Sequence, residues 1–370
     1  MATRSALPPR RRGLPEELVV WEILVRLPPK PLLRCRLVCR AWRRLTSTRG
    51  FLLAHHRHQP SLPLVVGYGC DGGSLLDILT LDRRDAARPR LHPVARLKNA
   101  AHFVSASCDG ILILNMTNCG EFYYSVCNPT TRQFADLPML TGFFVMGFYQ
   151  HRPTGEYRLL LYYQFRPEGS EDRYACYVYT LGSSEMPRCI GWMEEVATCT
   201  AVVLLHGSLH WYNYKTDKIL IFNTASESFW SMRQADKMNG NDLFEINGTL
   251  GIYFCNDDAT IVDIWVLQDY KTEFWSLKHR IELPVPDIKG KLDDGDDWSA
   301  MVLSEDGDVL VLVYYRQWLL YVGTDGKLLA SFQHDVGCHY NTPLKLKQSL
   351  VPHAFFPLLK GYVVNARPFI

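Results

Sequence analysis

The sequence predicts a multidomain chain, a small all-α module of three helices followed by an all-β, propeller-like domain of about six blades. Three observations predict it. Apolar residues recur at helical spacing over residues 14–58, then give way to short β-rich runs beyond Pro60. Glycine turns punctuate those runs at intervals in the thirties to fifties. The aromatic count is high (Trp 9, Tyr 19, Phe 17), which favours strands. The 370 residues therefore divide into a basic, disordered N-terminus over 1–13, a helical module over 14–58 and a β domain over 61–370.

In the helical module Leu14, Leu18, Trp21, Leu24 and Leu27 follow one another at spacings of 4, 3, 3 and 3, one face of an α-helix. Pro15 suits its start, and Glu16 and Glu17 sit where the helix dipole favours carboxylates. Pro28-Pro29 ends it. A second pattern from Pro31 carries Leu32, Leu33, Cys35, Leu37, Val38, Ala41, Trp42 and Leu45, and a break near Arg36–Leu37 makes two short helices of it. Residues 1–60 hold 13 basic and 3 acidic residues and the remainder 27 and 35, so the head is basic and the body acidic. A basic head can meet nucleic acid or an acidic protein, but it lacks the aromatic interleaving of a single-strand binder, and nucleic acid is not expected as a partner. The apolar set is wider than one small core requires, which argues for a protein partner.

The run L-P-E-E-L-V-V-W-E-I-L-V-R-L-P-P-K-P-L-L-R-C-R-L-V-C-R-A-W-R-R-L closely resembles the F-box motif. The shared features are Leu14-Pro15, the E-I-L at 22–24, Arg26-Leu27-Pro28, Lys30, Leu32-Leu33, and Val38-Cys39-Arg40 followed by Trp42 and Leu45. One departure is a stretch between Leu18 and Glu22 that is one residue longer than the commonest spacing. The resemblance implies a three-helix module that docks on a Skp-type adaptor and through it on a cullin scaffold, in an SCF-type ubiquitin ligase. The adaptor contacts it implies are Leu14, Pro15, Leu18, Ile23, Leu24, Leu27, Pro28, Leu32, Leu33, Val38, Cys39, Trp42 and Leu45. Leu14, Pro15 and Leu32 are expected to be exposed at element ends; Val38 and Trp42 are open between core and interface. Cys35 and Cys39 stand at i and i+4 without a further ligand at metal spacing, and read as buried thiols. His55, His56 and His58 read as a solvated helix end.

Beyond Pro60 the strand-like runs are Val65-Val66, Ile111–Leu114, Tyr157–Tyr163, Tyr174–Tyr179, Ile219–Phe222, Ile261–Leu267 and Val309–Tyr315. Between them stand Gly72-Gly73, Asp109-Gly110, Thr154-Gly155, His206-Gly207, Asn247-Gly248, Asp306-Gly307 and Asp325-Gly326, turn signals because such hairpins need positive φ. A second, polar turn follows at Asn128-Pro-Thr-Thr131, Asn223-Thr-Ala-Ser226, Gln268-Asp-Tyr-Lys271 and Gly323-Thr-Asp-Gly326. The repeating unit is strand, glycine turn, strand, loop, strand, polar turn, strand. Six units fit, with the tail from Leu350 to Ile370 expected to supply a closing strand. V-C-N-P-T-T-R-Q-F-A-D-L-P at 126–138, L-H-W-Y-N with I-L-I-F-N-T-A-S-E-S-F over 209–229, and D-I-W-V-L-Q-D-Y at 263–270 resemble the F-box-associated β domain of plant F-box proteins.

Little points to chemistry. The sequence lacks G-x-S-x-G, H-E-x-x-H and a P-loop. Asp293, Asp294, Asp296 and Asp297 lack the ligand order of an EF-hand and read as a solvated acidic loop. His206 and His210 read as a hairpin-tip and a core histidine. Eleven scattered cysteines, with no C-x-x-C, read as reduced thiols. No apolar run reaches membrane-spanning length and the N-terminus lacks the apolar region of a secretory signal, so no membrane is expected and the cytosol or nucleus is. The expectation is a non-enzymatic substrate receptor without cofactor or metal, whose propeller binds an unidentified protein substrate. The alternatives are a lectin-like ligand-binding propeller with a vestigial F-box, and a propeller hydrolase with paired carboxylates at its central opening.

Overall fold

The computed structural model describes residues 14–69, 75–83, 89–98, 102–118, 121–165, 173–193, 202–214, 216–234, 242–256, 258–291, 298–305, 307–315, 317–333 and 337–370. The basic N-terminus, Gly72-Gly73, Asp306 and the acidic loop of Asp293 to Asp297 lie outside them. The chain forms two compact units, one running to Pro60 and including Gln348–Pro352, the other formed by Ser61–Lys347 and His353–Ile370.

The helical unit opens with α1, a composite of an α turn (Glu16–Leu18), a π turn (Val19–Ile23) and a 3-10 turn (Leu24–Arg26). It continues with α2 (Pro29–Cys35), α3 (Arg40–Thr46) and α4 (Arg49–His58). Three helices were expected. The pattern after Pro31 does break at Arg36, and α4 is added beyond it. Thr48 caps α4 by accepting from the Phe51 N–H at 3.3 Å. Val20, Leu24, Val25, Leu32, Phe51 and Leu52 form the core, joined by Leu350 from the distant segment 348–352. His55, expected in solvent, is fully buried. Its Nε2 lies 2.8 Å from the Leu27 carbonyl, to which Gln59 Nε2 also donates at 3.1 Å, so two α4 side chains satisfy the end of α1.

The β unit is a ring of six sheets. Blade 1 takes β1 (Leu62–Gly69), β2 (Leu75–Asp82) and β3 (Arg90–Lys98); blade 2 takes β4 (His102–Cys108), β5 (Ile111–Asn118), β6 (Glu121–Asn128) and β7 (Gln133–Leu137). Blade 3 is β8 (Phe144–His151), β9 (Glu156–Phe165), β10 (Arg173–Thr180) and β11 (Arg188–Met193); blade 4 is β12 (Val203–Leu205), β13 (Ser208–Asn213), β14 (Lys218–Asn223) and β15 (Ser228–Arg233). Blade 5 is β16 (Asp242–Ile246), β17 (Thr249–Cys255), β18 (Ile261–Asp269) and β19 (Phe274–Glu282), followed by α5 (Val285–Lys289). Blade 6 is β20 (Ser299–Glu305), β21 (Asp308–Tyr315), β22 (Trp318–Val322) and β23 (Leu328–Gln333). The chain then returns as β24 (Gly337–Leu346), which pairs antiparallel with β1 as the innermost strand of blade 1. Strand β25 (Lys360–Val364) pairs with β7 as a fifth, outer strand of blade 2. The tail is thus not the closing strand it was expected to be: β24 closes the ring, because blade 1 lacks an inner strand until the chain comes back to it.

Asp109-Gly110, Thr154-Gly155, His206-Gly207 and Asn247-Gly248 join first to second strands, whereas Asp325-Gly326 joins third to fourth. Asp109-Gly110, His206-Gly207 and Asn247-Gly248 all have positive φ at both residues, 49° and 84°, 49° and 75°, and 50° and 74°. The polar turns join third to fourth strands and share one device. Asn128 Oδ1 accepts from the Thr130 and Thr131 N–H groups at 3.0 and 3.2 Å, and Asn223 Oδ1 from Ala225 and Ser226 at 2.9 Å each. Asp269 accepts from Lys271 at 2.8 Å in the same way.

The hydrophobic cores lie between blades. Ile111 and Ile113 of β5 pack toward blade 3, while Leu112 and Leu114 pack toward blade 1. In β21, Val309, Val311 and Val313 face blade 5 and Leu310 and Leu312 face blade 1. Each such side chain stabilises the ring by roughly 1.5–3 kcal/mol. Polar clamps supplement this. Trp211 Nε1 of blade 4 donates to the Met146 carbonyl of blade 3 at 2.9 Å, and Glu227 of blade 4 pairs with Arg158 of blade 3 at 2.8 Å and with Arg188.

His210, in the core as expected, is fully buried. Its Nδ1 lies 3.1 Å from the Ser208 carbonyl and its Nε2 2.7 Å from the Tyr270 hydroxyl. Desolvation pushes its pKa down to about 4, against the smaller opposing effect of hydrogen bonds to the Val203 and Ser208 carbonyls. The unfolded chain takes up a proton here near the ordinary 6.5 and the folded chain near 4. The resulting stability is complete above pH 6.5 and is lost as pH falls from 6.5 to 4. Urea unfolding of the wild type is expected to lose up to about 3 kcal/mol more across this interval than His210→Gln does. Parallel pH profiles for the two proteins would refute the assignment.

Candidate functional site

Two surfaces are candidate sites, one on each unit. On the helical unit the decisive feature is what the core leaves out. The extra residue between Leu18 and Glu22 is absorbed as the π turn, where the Leu24 N–H bonds to both the Val19 and Val20 carbonyls. Val20 and Leu24 consequently point into the core, and Leu18, Trp21 and Ile23 stay exposed. Trp21 still lies 5.7 Å, ring to ring, from Phe51.

The turn between α2 and α3 is held by Arg36, whose Nη2 donates to the Thr46 carbonyl at 2.7 Å and whose Nε donates to Thr46 Oγ1 at 3.1 Å. Leu37 and Val38 project from this turn, 84% and 68% exposed. Cys39, expected as a buried thiol, is exposed; its Sγ caps α3 by accepting from the Trp42 N–H at 3.4 Å. Leu14 and Pro15 are exposed, as expected for an element end. Leu32 is not: it is fully buried, because α2 turns that position onto Phe51 and Leu24, while Leu33 next to it is 40% exposed. Leu27, Pro28, Trp42 and Leu45 are half-buried. The thirteen implied contact residues therefore separate into a core pair (Leu24, Leu32), a half-buried group, and an exposed group of Leu14, Pro15, Leu18, Ile23, Leu33, Val38 and Cys39. Leu37 joins the exposed group: it sits in the turn between α2 and α3, outside the helical pattern to which its spacing had assigned it.

On the propeller, the inner strands β4, β8, β12, β16, β20 and β24 line a central channel with a cavity of about 460 Å³. Its polar groups are tied to one another. Lys345 Nζ lies 3.3 Å from Glu245 Oε2 and 3.4 Å from Ser304 Oγ, Ser304 bonds to the Glu245 carbonyl, and Ser107 Oγ donates to the Lys345 carbonyl at 2.7 Å. Asp109, at the β4–β5 turn, accepts from the Tyr157 hydroxyl at 3.1 Å, and burial raises the pKa of that tyrosine. Among the described residues that line the channel the carboxylates are Asp109 and Glu245, and each is engaged with a neighbour. Lys345 belongs to no sequence motif and reaches the channel only through ring closure by β24.

Residues 12–58 match the family model described as F-box-like, and residues 89–340 match the F-box associated beta propeller domain. Among relatives, the F-box protein At5g49610 of Arabidopsis thaliana is 27% identical over 346 residues, covering 83% of this chain and 88% of that protein. The F-box protein At3g07870 of the same plant is 23% identical over 381 residues, covering 89% and 90%, and the F-box protein CPR1 is 25% identical over 312 residues, covering 72% of each.

The different burial of adjacent leucines can be measured. Leu32→Ala should destabilise the helical unit by about 3 kcal/mol through loss of apolar contact and the cavity left behind, and Leu33→Ala by less than about 0.5 kcal/mol. Amide hydrogen exchange over residues 16–58 of the full chain reads both. Equal acceleration in the two variants would contradict the burial pattern.

Proposed function

The chain belongs to the F-box proteins that carry an F-box-associated β-propeller domain, and we propose that it is the substrate-recognition subunit of an SCF-type ubiquitin ligase. In this reading the helical unit docks on a Skp-type adaptor and through it on a cullin scaffold. The propeller holds a protein substrate. The subunit performs no bond chemistry; it raises the effective concentration of substrate lysines near the ubiquitin-charged enzyme. It would work in the cytosol or nucleus, where such ligases assemble.

The observation that carries the reading is a helical unit with a complete core of its own that still exposes Leu14, Leu18, Ile23, Leu33, Leu37 and Val38. Apolar side chains left outside a finished core are the material of an interface, whose energy is concentrated in a few central residues. Arg40, Arg43 and Arg44, also exposed, offer a rival account in which the head binds by charge.

Salt separates the two accounts, since the Debye length falls from about 10 Å at 0.1 M to about 3 Å at 1 M while apolar burial is unaffected. Leu14→Ala, Leu33→Ala and Val38→Ala should each weaken binding to a purified Skp-type adaptor by about 2 kcal/mol. Arg43→Ala and Arg44→Ala should each cost less than about 0.5 kcal/mol, and the wild-type complex should persist at high salt. Dissociation at high salt, with the arginine variants the weaker binders, would identify an electrostatic docking arm instead.

A further inference from the structure

A second cavity of the β unit is larger than that of the central channel. It measures about 800 Å³ and lies where the outer strands of blade 2 meet the C-terminal tail. Two sets of backbone bonds build it. The Asn365 N–H donates to the Arg132 carbonyl at 3.0 Å, fixing the tail to blade 2 beyond β25. The Lys98 N–H donates to the Pro368 carbonyl at 2.8 Å, and the Ile370 N–H to the Arg96 carbonyl at 3.0 Å, fixing the tail to the outer strand of blade 1. Phe369 is buried with the core shared by blades 1 and 2, so the tail is anchored on both sides of the cavity.

Its chemistry is divided. Met116, Tyr123 and Phe134, on three successive strands of blade 2, supply apolar wall. Lys98, Lys360 and Arg367 line it from three different elements: the end of β3, β25 and the tail. Among the described residues none of these three cations is in an ion pair or a side-chain hydrogen bond. One carboxylate, Asp136, also lines the cavity and accepts from Ser125 Oγ at 3.2 Å. The lining is therefore cationic on balance, with its positive groups uncommitted.

We infer that this cavity binds a small organic acid, a flat apolar body carrying a carboxylate or phosphate. The volume lies within the roughly 300–1,000 Å³ of small-molecule sites, and an apolar wall with a few convergent charges is how such sites fix orientation. The apolar body covers Met116, Tyr123 and Phe134, and the acid group takes the three cations, a lysine supplying a point charge and an arginine a planar fork. The inference is separate from the adaptor surface and from the central channel, and holds whatever protein the propeller delivers.

The test uses the full chain and three probes, 2-naphthoate, 2-naphthyl phosphate and the neutral 2-naphthylmethanol, titrated by isothermal calorimetry. Either acid should bind at least about tenfold more tightly than the alcohol, the equivalent of one charge-assisted contact, and which acid binds better identifies the group preferred. Combining Lys98→Ala, Lys360→Ala and Arg367→Ala should remove that advantage and leave alcohol binding within about twofold. All three residues are exposed, so the melting temperature should hold. Tyr123→Ala, which removes wall and keeps charge, should weaken all three probes together. Equal binding of acid and alcohol, an unchanged acid affinity in the triple variant, or no saturable binding by any probe below about 1 mM would overturn the inference.

Discussion

Every blade of this propeller is buried on both faces, and the rest of the β unit follows from that. An isolated four-stranded sheet hides one face at most. Here each sheet has a neighbour on either side, so its strands must be apolar on both. β21 shows the consequence: Val309, Leu310, Val311, Leu312 and Val313 run without a polar interruption, valines toward blade 5 and leucines toward blade 1. Two-sided burial also raises the cost of any buried polar group. Trp211 and His210 therefore carry explicit hydrogen-bond partners, and His210 stays neutral well below the usual pH.

A ring built this way has no free face except at the seam. Blade 1 starts without an inner strand and receives β24 from the far end of the sequence, so the seam is closed by backbone pairing such as Leu62 opposite Leu346. The chain then does more. It sends Leu350 into the core of the helical unit and returns to add β25 to blade 2, then lays Phe369 against blade 1. Blades 1 and 2 are thereby joined at their outer edges as well as through their shared core. The cationic cavity is a product of this second join, since its walls come from blade 2 and its cations from the end of β3, β25 and the tail.

The helical unit solves the opposite problem. Its core is small, and polar side chains finish what apolar contact leaves undone: Arg36 braces the end of α3, and His55 and Gln59 satisfy the end of α1. Burial lowers the pKa of His55, and the hydrogen bond to Leu27 offsets only part of that. Because these bonds fix the turns, Leu37 and Val38 are held outward on a defined backbone. A preorganised apolar surface loses less entropy on docking than a mobile one.

The two-part organisation, the helical periodicity, the strand runs and both kinds of turn were legible in the sequence, because each is set by residues within a few positions of one another. Asn-Gly and Asp-Gly impose positive φ locally, and Asn128 or Asn223 closes its own turn. The extra residue before Glu22 was visible too, although its absorption as a π turn was not. Contacts across hundreds of residues were not legible. Nothing near Lys345 announces that it will meet Glu245, and nothing near Arg367 announces that it will line one cavity with Lys98. Leu32 and Leu33 are identical in sequence, yet one is core and the other surface, because helix phase against Phe51 decides it. Local backbone preference is written in consecutive residues; which side chain is covered depends on what the rest of the chain brings to it.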